Sequence, residues 1–186
     1  MRRTSKFVLS VVTSESQGFV YGRADILQVG NEPDVDGTRM SPQDYAAQWN
    51  LYRDTYDGAF PYFALAGLGS GLTNSGEYLS AVWPLLNHKP DFVAVHCYDA
   101  DVQQASQEIV DLWNRVGVPV IVTEWNHPND QIWDMLDMLN GAEGLSSVWN
   151  SYYPYTTAMN SGTPGLVDAD GQPTPQGASF VSAPSV

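Results

Sequence analysis

Short apolar runs recur along this chain, separated by longer stretches with helical spacing. Phe7 to Val12, Ile26 to Gly30, Tyr62 to Gly67, Phe92 to His96, Val118 to Thr123 and Leu145 to Trp149 are the apolar runs. They lack strict alternation, so they read as strands buried on both faces, as in a parallel sheet. Between them, helices are expected over Pro42 to Tyr56, Glu77 to Leu86, Val102 to Val116 and Asp130 to Asn140. The first is announced by Ser41-Pro42-Gln43-Asp44, a hydroxyl cap, then proline at the first helical position, then an acid in the first turn. Its spacing puts Tyr45, Trp49, Tyr52 and Tyr56 on one face. A Gly/Ser-rich segment, Gly67 to Gly76, reads as a loop before the second helix. Successive strand ends at Gly30, Gly67, His96, Glu124 and Trp149 lie 25 to 37 residues apart, the size of one strand–helix unit. No hairpin signal intervenes, so about six parallel strands joined by right-handed crossovers are expected.

Past Tyr155 the texture is turn-dense, as in Asn160 to Gly165 and Asp168 to Pro175. Residues 156–186 therefore read as an extended loop and tail on a single domain spanning 1–186. Hydrophobic residues make up 43% of the chain and charged ones 16%, which fits a folded domain and not a disordered one. A formal net charge of −13 opposes nucleic acid and anionic membranes and suits a neutral ligand. Cys97 is the sole cysteine, so thiols can build neither an intrachain disulfide nor a zinc site, and a buried packing role is expected for it. The start, Met1-Arg2-Arg3-Thr4-Ser5-Lys6, faintly imitates a signal peptide, but the apolar stretch after it is short and lacks a cleavage pattern. It is read as the approach to a strand, and no segment approaches transmembrane length.

Chemistry enters at two strand ends. Ile26-Leu27-Gln28-Val29-Gly30 runs into Asn31-Glu32-Pro33, and Val120-Ile121-Val122-Thr123 runs into Glu124-Trp125. A carboxylate where a buried parallel strand stops lies at the rim where barrel enzymes keep their chemistry. Two such glutamates on one rim are the minimum apparatus for cleaving a glycosidic bond, one as acid and one as nucleophile or base. The plainer alternatives are a polar loop residue for Glu32 and a helix-capping acid for Glu124. No His/Asp/Glu spacing resembles a metal site, so neither metal nor cofactor is expected. Trp49, Trp83 and Trp113 lie on helices and are assigned to packing, Trp133 stays undecided, and His88 and His127 are assigned to the surface.

Gly30-Asn31-Glu32-Pro33, His96-x-Tyr98, Thr123-Glu124-Trp125 and Trp149, in that order, resemble the clan of retaining glycoside hydrolases with (β/α)8 barrels, which includes cellulases, mannanases and xylosidases. The resemblance covers roughly Ala24 to Phe180. It implies an incomplete TIM-type (β/α) barrel of the α/β class, whose strands correspond to strands 3–8 of the family. It implies Glu32 as acid/base and Glu124 as nucleophile. Asn31 would contact the sugar 2-hydroxyl, His96 and Tyr98 would line the cleft, and Trp125 and Trp149 would stack on sugar rings. The family's first two strands, and the arginine its second strand supplies, have no counterpart, and Ser10 to Thr13 stand where many members carry a histidine. The implied activity is cleavage of a β-linked oligo- or polysaccharide by double displacement; the residues leave the compartment open, and the resemblance is compatible with an extracellular one. A catalytically impaired carbohydrate binder and a structural barrel fragment are the alternatives. Open sheet edges imply self-association.

Overall fold

The computed structural model describes residues 9–12, 25–69, 72–98 and 101–125, with a few positions between 134 and 178. The strands and helices alternate: β1 (Leu9–Val12), β2 (Ile26–Asn31), α1 (Pro42–Thr55), β3 (Tyr62–Leu68), α2 (Leu72–Val82), β4 (Phe92–Cys97), α3 (Val102–Val116) and β5 (Val120–Trp125). The five strands form one sheet in the order β1-β2-β3-β4-β5, and every neighbouring pair is parallel. Strand order that follows chain order without a reversal places all strand C-termini on one rim. The expected strand at Leu145 to Trp149, the helix at Asp130 to Asn140 and most of the tail fall outside the described residues.

Local chemistry accounts for the helix ends. The Ser41 hydroxyl accepts the Asp44 backbone N–H at 3.1 Å, and Pro42 opens α1 as its fixed backbone angle favours. Asp101 caps α3 by accepting from the N–H groups of Gln103 and Gln104, both at 2.9 Å. α2 departs from expectation. It begins at Leu72, inside the segment read as a Gly/Ser loop, and gives way to a 3-10 turn at Trp83–Leu85. Gly76 lowers helix propensity there, but its missing side chain leaves room for the Arg115 guanidinium, which would lie 3.2 Å from an added Cβ. Tertiary packing overrides the local signal.

Two apolar layers flank the sheet. The larger lies between the sheet and the helices and includes Leu27, Val29, Phe63, Leu65, Val93, Val95, Val120 and Val122 with Tyr45, Trp49, Leu79, Ile109 and Leu112. The opposite face carries a band of Ile26, Ala64, Ala94 and Ile121, all buried. Tyr45, Trp49 and Tyr52 of α1 are buried as their spacing predicts, Tyr56 packs against them, and Cys97 is fully buried. Trp83 and Trp113 are partly buried against the same layer. No described helix is long and apolar enough to cross a membrane.

Alternation along β5 is interrupted once. Val95 pairs with Val122, but His96 pairs with Glu124 and Cys97 with Trp125, so Thr123 is an extra residue in the register. Were Thr123 paired regularly opposite His96, strict alternation would set Glu124 on the helix side with Val122, and Trp125 on the opposite face with Ile121. The skip exchanges them. Glu124 joins His96 on the inner face, and Trp125 joins Cys97 in the helix-side core.

Tyr45 ties β2 to β3 just beneath the rim: its hydroxyl donates to the Val29 carbonyl at 2.8 Å and accepts the Ala66 N–H at 2.7 Å. Burial pushes its phenol far above the ordinary tyrosine value. A raised value in the folded state means that this contribution is intact below about pH 10 and declines as the unfolded phenol ionises above it, by about 1.4 kcal/mol per pH unit. Tyr45→Phe is expected to cost about 1–3 kcal/mol at neutral pH, through the unpaired Val29 and Ala66 groups, and to flatten the alkaline decline. Urea midpoints for both proteins from pH 8 to 11 check this.

Candidate active site

The inner-face rim gathers the residues that the sequence singles out. β2 ends at Asn31, which is exposed and pairs in register with Gly67 of β3. The next residue, Glu32, has a left-handed backbone, with φ of +47°, the one non-glycine residue with positive φ among those described. Such a conformation costs on the order of 1–3 kcal/mol and persists where the surroundings fix it. Here the Glu32 N–H donates to the Gly67 carbonyl at 2.7 Å, while the Thr38 hydroxyl donates to the Glu32 carbonyl at 2.6 Å. The turn aims the carboxyl inward over the sheet end.

His96 of β4 joins the two carboxylates. Its Nδ1 is 2.8 Å from Glu32 Oε1, in a hydrogen bond, and its Nε2 is 3.5 Å from Glu124 Oε1. The imidazole is sealed from solvent (0% exposed), whereas the Glu32 and Glu124 side chains are 29% and 28% exposed. The ring is therefore a buried floor, and the carboxylates remain open to a ligand. One donor atom from each of Glu32, His96 and Glu124 lies within 4.8 Å of the others. The Tyr98 hydroxyl donates to Glu124 Oε2 at 2.6 Å, and its ring stands edge-on to His96.

Small residues make this convergence possible. A Cβ on Gly67 would overlap the His96 ring at Nε2, and one on Gly69 would come within 2.6 Å of Glu32 Oε1. Neither glycine is conspicuous in a segment that reads as a loop. The nearest signal is their position just past an apolar strand.

The structure thus brings together Asn31, Glu32, His96, Tyr98 and Glu124. It does not bring Trp125 to the cleft: the indole is fully buried in the helix-side core because of the register skip, so the expected sugar-stacking position is corrected to a packing one. Trp149 lies outside the described residues. The linear spacing shows no metal pattern, yet the fold collects three donors of types that bind divalent cations, Glu32, His96 and Glu124. His96 Nδ1 is engaged by Glu32, while Nε2 faces Glu124 Oε1 at 3.5 Å without a hydrogen bond.

A family model described as "Glycosyl hydrolase catalytic core" matches residues 22–180. The chain belongs to this glycosyl hydrolase family. The match is to the hydrolase core at large and does not single out the cellulase, mannanase and xylosidase relatives. Among solved structures, a GH128 (subgroup V) exo-beta-1,3-glucanase from Cryptococcus neoformans is 22% identical with a TM-score of 0.71, the match covering 84% of this chain and 68% of that one. A GH128 (subgroup I) endo-beta-1,3-glucanase from Amycolatopsis mediterranei, solved as an E199Q mutant with laminarihexaose, is 19% identical with a TM-score of 0.70, covering 87% of this chain and 73% of that one. A GH128 (subgroup VII) oligosaccharide-binding protein from Cryptococcus neoformans is 14% identical with a TM-score of 0.74, covering 89% of this chain and 70% of that one. At these identities the likeness is one of fold. No curated protein matches the chain.

Proposed function

We propose that this glycosyl hydrolase core cleaves a β-linked glucan by a retaining double displacement, with β-1,3 linkages the substrate class to test first. The observation that carries the reading is the pair of solvent-accessible carboxylates flanking opposite nitrogens of one buried imidazole, with one oxygen of each within 4.8 Å of the other. Retaining glycosidases keep their two carboxyl groups about 5–5.5 Å apart, and inverting ones about 6.5–9.5 Å, to admit a water. The short gap supports retention.

In this mechanism Glu124 attacks the anomeric carbon while Glu32 gives its proton to the departing oxygen as the glycosidic bond breaks. Glu32, now ionised, takes a proton from water, whose oxygen attacks the same carbon and releases Glu124. Tyr98, donating to Glu124 Oε2, leaves the other oxygen to face the sugar. Asn31, exposed at the end of β2, contacts the 2-hydroxyl. The sequential parallel sheet is read as an arc of a (β/α) barrel. Self-association through its outer strands belongs to the same reading, and sedimentation as a monomer at all micromolar concentrations would remove that part.

The test is proton NMR of a laminari-oligosaccharide digest at early time points. The β-anomer is expected first, followed by mutarotation. The α-anomer first would mean inversion. A second reading, oligosaccharide binding without cleavage, is favoured by the likeness to oligosaccharide-binding proteins from Cryptococcus neoformans and Trichoderma gamsii, with TM-scores of 0.74 and 0.72. Calorimetric binding without any product in the same digest would select it.

A further inference from the structure

We propose that Asp34 is a positioning residue for Glu32, acting through the backbone of Gly69 and the hydroxyl of Ser75. The proposal rests on the reading of Glu32 as the acid/base. Asp34 is two residues beyond Glu32 and is buried, 1% exposed, an unusual place for a carboxylate without a structural duty. Among the described residues its oxygens reach two elements. Oδ1 accepts the Gly69 N–H at 3.0 Å, and Oδ2 accepts the Ser75 hydroxyl at 2.7 Å. Gly69 directly follows β3 and Ser75 lies in the first turns of α2, so one carboxylate staples the exit of β3 and the start of α2 to the turn that carries Glu32.

Gly69 supplies the link to the chemistry. Its α-carbon packs so closely on Glu32 that an added Cβ would lie 2.6 Å from Oε1, 2.9 Å from Cγ and 3.0 Å from Cδ. Gly67 backs the His96 ring in the same way, and its carbonyl holds the Glu32 N–H at 2.7 Å. The Gly67–Gly69 backbone is thus a wall behind both ends of the Glu32–His96 hydrogen bond. The wall is tethered to the Glu32 turn at two points, through Gly67 O and through Asp34. Without the Asp34 tether the wall can draw back, and Glu32 gains rotamers in which Oε1 leaves Nδ1. A loss of this kind falls on the step that needs an aimed proton, because displacing a reacting group by about 1 Å costs up to 10²-fold in rate and leaves most binding contacts in place.

The experiment uses Asp34→Ala, Asp34→Asn and Ser75→Ala, each read by steady-state kinetics on a laminari-oligosaccharide, whose poor leaving group needs the acid, and by two-bond 1H–15N spectra of the imidazoles. The chain has three histidines, so the His96 signals are readily assigned. Asp34→Ala is expected to lower kcat about 10- to 100-fold with KM within about threefold, and to shift the His96 Nδ1 resonance. Ser75→Ala keeps the Gly69 bond and is expected to show the same changes at smaller size. It also carries the test if Asp34→Ala does not fold. Asparagine retains an acceptor for Gly69 N–H, so Asp34→Asn is expected to recover most of the loss. An unshifted Nδ1 resonance in the folded variants overturns the proposal, whatever happens to the rate. An Asp34→Asn protein as impaired as the alanine variant also overturns it, since charge would then matter and not the tether. If the wild type does not hydrolyse the substrate, the assignment of Glu32 as acid/base fails, while the Nδ1 shift still decides whether Asp34 holds that side chain.

Discussion

Glu124→Ala is expected to abolish turnover of an aryl β-glycoside, by at least about 10³-fold, and sodium azide is expected to restore it. The deleted side chain leaves a small space beside the anomeric carbon, and azide can enter from the face that Glu124 occupied. The product should be the α-glycosyl azide, with one inversion in place of two. Glu32→Ala should behave differently. A good leaving group departs without an acid, so the glycosyl-enzyme still forms, but its breakdown lacks a base. Azide needs no base and attacks from the face opposite Glu124, giving the β-azide. The anomeric configuration of the azide therefore assigns the two roles independently of rate. Both variants yielding the same azide anomer, or rates equal to wild type, would refute the assignment.

His96→Phe is expected to lower kcat about 10- to 10³-fold while the protein stays folded. The magnitudes separate these effects. The imidazole is wholly buried between Gly67 and Tyr98, and a phenyl ring is planar but larger by about one methylene, so the packing change should cost about 1–3 kcal/mol. Glu32 and Glu124 are each more than a quarter exposed, so water can replace the lost contacts. What is lost is aim, because Glu32 Oε1 no longer has Nδ1 at 2.8 Å. A modest fall in thermal stability, with the variant still folded at the assay temperature, alongside the reduced kcat is the expected pairing. A His96→Phe protein with wild-type kcat would show that the imidazole is only filler.

Much of the architecture is legible in the apolar runs. β2, β3, β4 and β5 fall within two residues of their expected bounds, and α1 and α3 start where Ser41 and Asp101 cap them. The reason is local: long apolar runs and side-chain caps express themselves over a few residues. Glu32, His96, Tyr98 and Glu124 are legible for a related reason, since each sits at a strand end and strand ends share a rim. Trp125 is misplaced because alternation is counted along the strand and a single-residue skip is invisible to that count. α2 is misread at its start because Gly and Ser argue against a helix that contacts with α3 nonetheless stabilise. The Asp34 network escapes for a different cause: its partners Gly69 and Ser75 lie 35 and 41 residues away along the chain, and nothing in the spacing announces them.

The extra residue in β5 makes the chemistry a matter of counting. Lengthen that strand by one between Thr123 and Glu124, with the skip kept, and no proposed catalytic side chain is lost, yet the carboxylate swings toward the helices and a bulky indole takes its place beside His96. A lineage could thus silence the proposed hydrolysis in one insertion while every acid and aromatic of the site stayed in the text of its gene.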